Sequence, residues 1–196
     1  SALGLGELTY SVHAEGFWQV HVDAPRVLVE RVVRGALGAD LDGAAGSSVL
    51  ELYSGAGLFT LPLAALVGSG GEVVSLEGNE QAVRDARRTL HDHPTARLAS
   101  GRVSARSVRE LAGSFTGGRP DVVVLDPPRQ GAGREVIEAV GALGAERIVL
   151  VACDPAALAR DLGTLLRSGY ALGSMSALDM FPHTHHFETI AVLERS

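Results

Sequence analysis

The feature that most constrains this chain is a regular alternation of short apolar runs with segments of helical periodicity, beginning at Val49. The apolar runs have the length of strands, and the segments between them repeat their apolar residues every three to four positions. Strands that alternate with helices favour a parallel sheet covered on both faces. The pattern therefore predicts a Rossmann-like α/β fold with a seven-stranded, mostly parallel sheet and helices on both faces.

The alternation also predicts the order of the elements. A hairpin is expected within Thr9–Val22, and a helix is expected to begin after Asp23 and end at Gly38. We divide the chain into residues 1–47, the hairpin and helix leading into the domain, and residues 48–196, the core. The predicted strands are Val49–Tyr53, Val73–Glu77, Arg102–Ser104, Val122–Asp126, Ile148–Ala152, Leu172–Leu178 and Thr189–Glu194, and the helices between them are Leu58–Leu66, Asn79–Leu90, Arg134–Leu143 and Ala156–Leu166.

Length and composition limit the possible classes of protein. A chain of 196 residues, 46% of them hydrophobic, can bury one good core. One cysteine excludes an internal disulfide, and no apolar run approaches membrane-spanning length, so a soluble cytoplasmic protein is expected. The net charge of −6 argues against binding nucleic acid through bulk electrostatics. Because the chain begins with Ser1 rather than Met, further sequence is expected upstream.

A strand that runs into a glycine turn forms the first candidate binding site. Residues 49–59 read VLELYSGAGLF, and Gly55 and Gly57 allow a nucleotide to approach the backbone closely. A dinucleotide fingerprint would place a third glycine where Thr60 stands. Glu77 ends the next predicted strand, where a carboxylate can bind both hydroxyls of a ribose. This pair is common to NAD sites and S-adenosylmethionine sites.

Cys153 is the candidate nucleophile. It follows a strongly apolar run and precedes Pro155, which is typical of the first turn of a helix. The thiol should therefore lie at the carboxyl end of a strand, the edge of a parallel sheet at which ligands bind. A helix amino terminus nearby is expected to favour thiolate over thiol. The alternative is that Cys153 is a small buried apolar residue.

A rigid turn is predicted at the end of the fourth strand, where Asp126 is followed by Pro127 and Pro128. Each proline fixes its own backbone angle and restricts the residue before it. The turn could be purely structural or could present Asp126 to a ligand. Methylases that act on exocyclic amines usually carry an aromatic residue after such prolines, whereas this chain has Arg129, which argues against an amine substrate.

The segment entering the last strand, residues 179–188, reads DMFPHTHHFE. Its three histidines invite a metal interpretation, but no fourth ligand is apparent, and we expect no metal. His186 and Glu188 are two residues apart, so both side chains would share one face of the strand. A partly buried Glu188 would be a good proton acceptor, because desolvation raises the pKa of a carboxyl group.

Taken together, the segments CDPAALARDL, DPPRQG and DMFPHTHHFE resemble motifs of the RNA uracil-5-methyltransferases, which use S-adenosylmethionine to form 5-methyluridine in transfer or ribosomal RNA. The resemblance extends from about Gly16 to Glu194. It implies a class I methyltransferase fold with residues 48–196 as the core, S-adenosylmethionine as cofactor and structured RNA as partner. Members generally carry an amino-terminal RNA-binding barrel, so such a domain is expected upstream of this chain.

The resemblance also implies roles for individual residues. Cys153 would add to carbon 6 of uracil, and Glu188 would remove the surplus proton from carbon 5. Arg129 is a candidate to steady the enolate oxygen or a phosphate, and His186 is a candidate substrate contact. The cofactor contacts that the resemblance implies are Gln19, Tyr53, Gly55, Gly57, Glu77 and Asp126.

The sequence departs from the family pattern at four positions. Asn is common where His21 and Leu58 stand, and an acidic residue is common near Arg106 and Ser107. Three alternatives therefore stay open: a methyltransferase acting on a small molecule or on cytosine, which the acidic surface favours; a cofactor-binding module that needs a separate RNA-binding domain; and, more distantly, a dehydrogenase.

Overall fold

The computed structural model of the chain describes residues 3–14, 16, 18, 23–41, 44–179 and 187–196. Within these ranges the chain forms six α-helices and seven strands. The helices are α1 Ala24–Leu37, α2 Thr60–Val67, α3 Glu80–Thr89, α4 Ala105–Ala112, α5 Arg134–Ala142 and α6 Pro155–Arg167. The strands are β1 Ser48–Leu52, β2 Glu72–Glu77, β3 Ala96–Ser100, β4 Val122–Leu125, β5 Arg147–Ala152, β6 Tyr170–Leu178 and β7 Glu188–Arg195.

The strands form one sheet in the order β3-β2-β1-β4-β5-β7-β6. The first five in that order pair in parallel, whereas β7 runs antiparallel to both β5 and β6. The predicted seven-stranded, mostly parallel sheet is therefore confirmed. The order reverses between β1 and β4, so the carboxyl ends of these two strands border the crevice at which open α/β sheets bind ligands.

Helices cover both faces of this sheet, and each face buries its own apolar cluster. Leu50 and Leu52 of β1 pack into the cluster that includes residues of α4, α5 and α6. Val49, on the opposite face of the same strand, packs into the cluster that includes α1 and α2. Alternate residues of β1 are thus buried on opposite sides, as the apolar run in the sequence indicated.

Helix α1 packs against β4, β5 and β7, so it covers part of the same sheet. Pro25 lies in the first turn of α1, as expected from the sequence, and the α1 residues Leu28, Val32 and Val33 are fully buried. These apolar residues recur every three to four positions, which directs one stripe of the helix to the core. No helix in the described ranges has both the length and the apolar character needed to cross a membrane.

The structure differs from the sequence prediction in three places. The described residues of the predicted hairpin, 9–14, 16 and 18, form no strand, and the rest of Thr9–Val22 lies outside the described residues. The third strand is β3 rather than Arg102–Ser104, and it pairs only with β2. Helix α4 was not predicted; it begins with a capping box in which Ser104 and Ser107 bond to each other's backbone N–H groups.

Candidate active site at the carboxyl edge of the sheet

The glycine turn leaves β1 through an unusual backbone conformation. Tyr53 has φ of 63° and Gly55 has φ of 55°, both in the left-handed region, which costs energy for a residue with a side chain. The N–H of Tyr53 donates to the carbonyl of Leu76 at 2.9 Å, which holds the strained residue in place. A Cβ atom built on Gly55 would meet no atom within 4 Å. Gly55 therefore faces open space at the ligand edge.

Glu77 ties the ends of β1 and β2 together. Its Oε2 accepts from the N–H of Gly55 at 2.9 Å, and its Oε1 accepts from the N–H of Asn79 at 2.6 Å. Each carboxylate oxygen can accept more than one hydrogen bond, and the side chain is only partly buried. The carboxylate is thus fixed in orientation and retains capacity for donors such as ribose hydroxyls.

Gly57 has a different environment from Gly55. A Cβ atom on Gly57 would lie 3.6 Å from the Cβ of Ala86 and 3.7 Å from Leu90 Cδ1, both near the carboxyl end of α3. Its φ of 91° is also a conformation that favours glycine. Gly57 therefore shapes the turn and lets α3 approach it, while Gly55 is the glycine that faces the open edge.

A buried carboxyl group, Glu51 of β1, lies behind the turn and was not identified from the sequence. It is 1% exposed, and its Oε2 accepts hydrogen bonds from Thr60 and, at 2.9 Å, from Ser75 Oγ. Burial raises the pKa of Glu51 to about 7. Its other oxygen has no hydrogen-bond partner among the described residues. The signal for this group was an acidic residue inside the apolar run VLEL.

Cys153 directly follows β5, and Glu188 begins the neighbouring strand β7. Ala152 at the end of β5 pairs with Thr189 of β7 in the antiparallel register. Continuing that register by one residue places Cys153 opposite Glu188. Glu188 is 8% exposed, and Cys153 is partly buried with a free thiol. Two groups 35 positions apart in the sequence are therefore brought together at the carboxyl end of β5.

The electrostatic surroundings of Cys153 differ from the sequence expectation. Burial, followed by the negative charges of Glu188 and Asp126, raises the pKa of the thiol, and only Arg129 and a backbone hydrogen bond oppose this. The expectation that the start of α6 favours the thiolate over the thiol was therefore wrong. The reason is that burial and the negative charges of Glu188 and Asp126 outweigh the opposing effects of Arg129 and the backbone hydrogen bond.

Asp126 and Arg129 complete this group of side chains. Burial and the charge of Glu188 raise the pKa of Asp126 to about 7. Burial also raises the pKa of Glu188, and the guanidinium of Arg129 partly offsets this rise. Arg129 is exposed, so it can contact both a bound molecule and these groups. A thiol, two carboxyls and a guanidinium thus interact at one edge of the sheet.

The amino-terminal segment lies against the glycine turn and α3. The hydroxyl of Tyr10 donates to the carbonyl of Leu58 at 3.0 Å, and the Tyr10 ring contacts that of Trp18 with centroids 5.2 Å apart. The N–H of His13 donates to Asp85 Oδ2 at 3.0 Å. These bonds connect the residues before Gln19 to the turn that contains Gly55 and to α3.

Some predicted residues lie outside the described ranges. These are Gln19, His21, His186 and the rest of the histidine-rich segment 180–186. Within the described residues, no group of three or more His, Cys, Asp and Glu side chains could hold a metal ion. Ser107, one of the positions that departs from the family pattern, serves the amino-terminal cap of α4.

Asp161 is a second buried carboxylate that the sequence analysis did not single out. It is 5% exposed, and its Oδ2 accepts from the N–H of Ala132 at 2.9 Å. The available signal was its position on α6, where it shares the buried face with Leu158 and Leu165 at helical spacing. A carboxylate at an otherwise apolar position indicates a specific polar partner.

Comparisons with known proteins identify the family to which the sequence is similar. A family model described as tRNA (Uracil-5-)-methyltransferase matches residues 7–196. An uncharacterized RNA methyltransferase of Streptomyces avermitilis is 44% identical over 186 residues, covering 95% of this chain and 41% of the relative. The 23S rRNA (uracil(1939)-C(5))-methyltransferase RlmD of Methylococcus capsulatus is 38% identical over 190 residues, covering 96% of this chain and 41% of the relative. The chain thus spans about two fifths of the length of these curated relatives.

Solved structures show the same fold. The Pyrococcus abyssi tRNA (uracil-54, C5)-methyltransferase in complex with S-adenosyl-L-homocysteine is 30% identical, with a TM-score of 0.76, and the match covers 96% of this chain and 43% of that one. A precorrin-6y C5,15-methyltransferase of Geobacter metallireducens, at 17% identity, has a TM-score of 0.67 over all of this chain and 99% of its own. This second similarity concerns the fold alone.

Proposed function

The chain belongs to the tRNA (uracil-5-)-methyltransferase family, and on that premise we propose that it transfers a methyl group from S-adenosylmethionine to carbon 5 of a uridine in structured RNA. The observation that carries this proposal is the adjacency of Cys153 and Glu188 beside Asp126 and the glycine turn. A thiol and a carboxyl at one pyrimidine ring are the two groups that this chemistry requires.

The residues at the turn suit S-adenosylmethionine. Gly55 faces open space, and Glu77 has a fixed carboxylate with free acceptor capacity for the ribose hydroxyls. Asp126, at the end of the neighbouring strand β4, is a candidate for the amino group of the methionine part. Tyr53 and Gly57 shape the turn, and Gln19 is a further proposed contact. The bound cofactor would supply an electrophilic methyl group on a sulfonium.

The first chemical task of the protein is to activate a poor carbon nucleophile. Cys153 must lose its proton, and the thiolate Sγ then forms a bond to carbon 6 of uracil, which moves the ring electrons into an enolate. Carbon 5 of that enolate then bonds to the methyl group as the bond between the methyl group and the sulfonium sulfur breaks, which would leave a neutral thioether. Arg129 is exposed beside Cys153 and Glu188, where its charge can stabilise the enolate oxygen. His186 is a further proposed contact to the base.

The second task is to restore the aromatic ring. After methyl transfer, carbon 5 carries a surplus proton, and Glu188 removes it as the bond between Sγ and carbon 6 breaks. The double bond between carbons 5 and 6 forms again, and the thiolate is released. Burial raises the pKa of Glu188 above its usual range, which makes it a stronger base than an exposed carboxylate.

RNA recognition is proposed to need more than the described residues. The net charge of −6 gives little general attraction for a polyanion, and the relatives are more than twice as long as this chain. We therefore propose an amino-terminal RNA-binding domain upstream, as in the sequence expectation. On this view, residues 48–196 perform the chemistry and the whole protein selects the transfer or ribosomal RNA.

Covalent trapping tests the proposal. In 5-fluorouridine, fluorine replaces the proton that the base removes from carbon 5. The reaction should therefore stop at the covalent adduct between Cys153 and carbon 6. We expect a band of increased mass on a denaturing gel for the wild type with S-adenosylmethionine, and no such band for Cys153→Ala. Calorimetry with S-adenosylmethionine checks that the variant still binds the cofactor. An equal adduct in both proteins would contradict the proposed role of Cys153.

A further inference from the structure

Helix α6 holds the loop that carries Arg129. This helix begins two residues after Cys153, and two of its side chains bond to the loop that follows β4. Asp161 Oδ2 accepts from the N–H of Ala132 at 2.9 Å, and Arg160 Nη2 donates to the carbonyl of Gln130 at 3.3 Å. The loop therefore has two attachments to the element that directly follows the proposed nucleophile.

Gly131 shows how closely the loop and Asp161 fit. A Cβ atom at this position would lie 2.8 Å from Asp161 Oδ2 and 3.3 Å from the Cβ of Ala157. Both distances are shorter than ordinary van der Waals contact. Its φ of 83° also favours glycine. The loop backbone at Gly131 thus lies in close contact with the buried carboxylate of Asp161, and a side chain at position 131 would prevent this contact.

We propose that Asp161 is a positioning residue that fixes the loop of residues 129–132 on α6 and thereby holds the guanidinium of Arg129 beside Cys153 and Glu188. The inference rests on the proposed function for its catalytic meaning, but the placement of Arg129 can be measured in the protein alone. Asp161 touches neither substrate nor cofactor in this proposal. It acts through the loop.

The charges around the thiol make this placement measurable. Glu188 and Asp126 raise the pKa of Cys153, whereas Arg129 lowers it. If Arg129 moves away, the thiol pKa rises. The charges that shift the thiol pKa are those of Glu188, Asp126 and Arg129, so removal of the Asp161 charge should by itself leave the thiol pKa unchanged. A rise in the thiol pKa of an Asp161 variant therefore reports displacement of Arg129 and not the loss of the Asp161 charge.

The experiment measures the rate of alkylation of Cys153 by iodoacetamide as a function of pH. Because this is the only cysteine of the chain, the reaction reports a single site. We expect Asp161→Ala to raise the thiol pKa by roughly one unit, as Arg129→Ala does, which slows alkylation roughly tenfold at a pH below that pKa. The double variant should show no further shift, since both changes remove the same interaction.

Two further variants separate position from charge. Asp161→Asn removes the charge but keeps an oxygen that can accept from Ala132, so its profile should stay close to the wild type. Gly131→Ala keeps Asp161 but places a Cβ atom 2.8 Å from its Oδ2, so it should displace the loop and shift the thiol pKa upward. It also decides the matter if Asp161→Ala fails to fold. Asp121→Ala removes a carboxylate that accepts from Ser48 N–H at the opposite edge, and it should leave the profile unchanged.

The proposal is overturned if Asp161→Ala and Gly131→Ala keep the wild-type profile while Arg129→Ala shifts it, or if the single shifts add in the double variant. Formation of the 5-fluorouridine adduct, measured in the same variants, should slow in parallel with alkylation. A wild type that forms no RNA adduct contradicts the proposed function, whereas the alkylation profiles still decide the role of Asp161. The two failures are thus distinguishable.

Discussion

The two halves of the ligand edge treat their carboxyl groups differently. At the ends of β1 and β2, Glu77 is held by two backbone N–H groups, and Glu51 accepts from two hydroxyl groups. At the ends of β4 and β5 and the start of β7, the charge of Glu188 raises the pKa values of Asp126 and Cys153, and the charge of Asp126 also raises that of Cys153. The first half fixes the orientation of its carboxyl groups by hydrogen bonds, and the second half brings acidic groups close enough to shift one another's pKa values.

This difference suits two tasks. A cofactor site needs acceptors whose orientation is set before binding, because ordering them afterwards would cost affinity. A site for proton transfer needs groups whose pKa values lie nearer neutrality, so that they exchange protons at moderate cost. Substitutions in the first half should therefore change affinity for S-adenosylmethionine, and those in the second half should change the rate of methyl transfer or its pH dependence.

The largest effect is expected from Glu188→Gln. The amide keeps the shape of the side chain but cannot accept the proton from carbon 5, so turnover should fall by about 10²–10⁴-fold. The adduct with ordinary uridine RNA should accumulate, because release from Cys153 requires the proton to leave. Gel analysis of the adduct and a methyl-transfer assay measure both quantities. If turnover falls and S-adenosylmethionine affinity falls with it, the proposed division between the halves fails.

The pH dependence of the wild type should come from the second half. Glu188 must be ionised to act as a base and Cys153 must be a thiolate to attack, and the pKa values of both groups are raised. Activity should therefore increase with pH and fall about tenfold per unit below the controlling pKa. Single-turnover rates between pH 5 and pH 9 measure this. A rate that is flat over the range would contradict the assignment.

In the first half, Glu77→Ala should weaken S-adenosylmethionine binding. The variant loses a charged acceptor for the ribose hydroxyls, and the N–H groups of Gly55 and Asn79 lose their acceptor. We expect binding to weaken by about 1.5–3 kcal/mol, or roughly 10–150-fold in Kd. Calorimetry measures the change. Glu72→Ala is the matched control, because Glu72 lies on the same strand at the opposite edge and also accepts a backbone N–H, from Thr116 at 2.8 Å.

Glu51→Gln should change the pH dependence of stability. The pKa of Glu51 is raised from 4.5 to about 7 in the folded chain, so its stabilising contribution is present below pH 4.5 and is lost as pH rises through 7. Full titration corresponds to about 3 kcal/mol of unfolding free energy. Denaturant unfolding between pH 4 and pH 8 should show a smaller decrease for the variant. An unchanged decrease would mean that Glu51 does not titrate here.

The smallest effect is expected from Tyr10→Phe. Loss of the hydrogen bond to Leu58 should lower the unfolding free energy by about 0.5–1.5 kcal/mol and weaken S-adenosylmethionine binding a few-fold, because Leu58 follows the glycine turn. Tyr170→Phe loses a similar bond, to Ala145 at 2.9 Å, at the other end of the sheet. It should lower stability comparably but leave binding unchanged. Equal losses of binding would indicate a general effect of stability.

The strands of this sheet could be read from the sequence where they are buried on both faces. β4 and β5 consist of apolar runs, and their ends also located Asp126 and Cys153 correctly. β3 could not be found in this way, because it lies at the edge of the sheet and its sequence ARLAS alternates small, charged and apolar residues. Edge strands are half exposed, so hydrophobicity gives little signal for them.

The parts of the site that follow from residue types and from the ends of strands could be predicted from the sequence. The adjacency of Cys153 and Glu188 required the antiparallel pairing of β7 with β5, which no local pattern specifies. The direction of the shift in the thiol pKa depended on burial and on the approach of two carboxyl groups, so it was predicted wrongly. Glu51 and Asp161 needed knowledge of burial, because both are polar residues at positions that periodicity assigns to the core.

The antiparallel direction of β7 determines where Glu188 lies. β7 has eight residues, and at about 3.4 Å per residue it spans roughly 24 Å between its first and last Cα atoms. If β7 ran parallel to β5, Glu188 would lie at the amino end of β5, about a strand length from the sulfur of Cys153. Because β7 runs antiparallel, its first residue lies at the edge where β5 and β6 end, so the direction of the last strand is itself a requirement of the proposed chemistry.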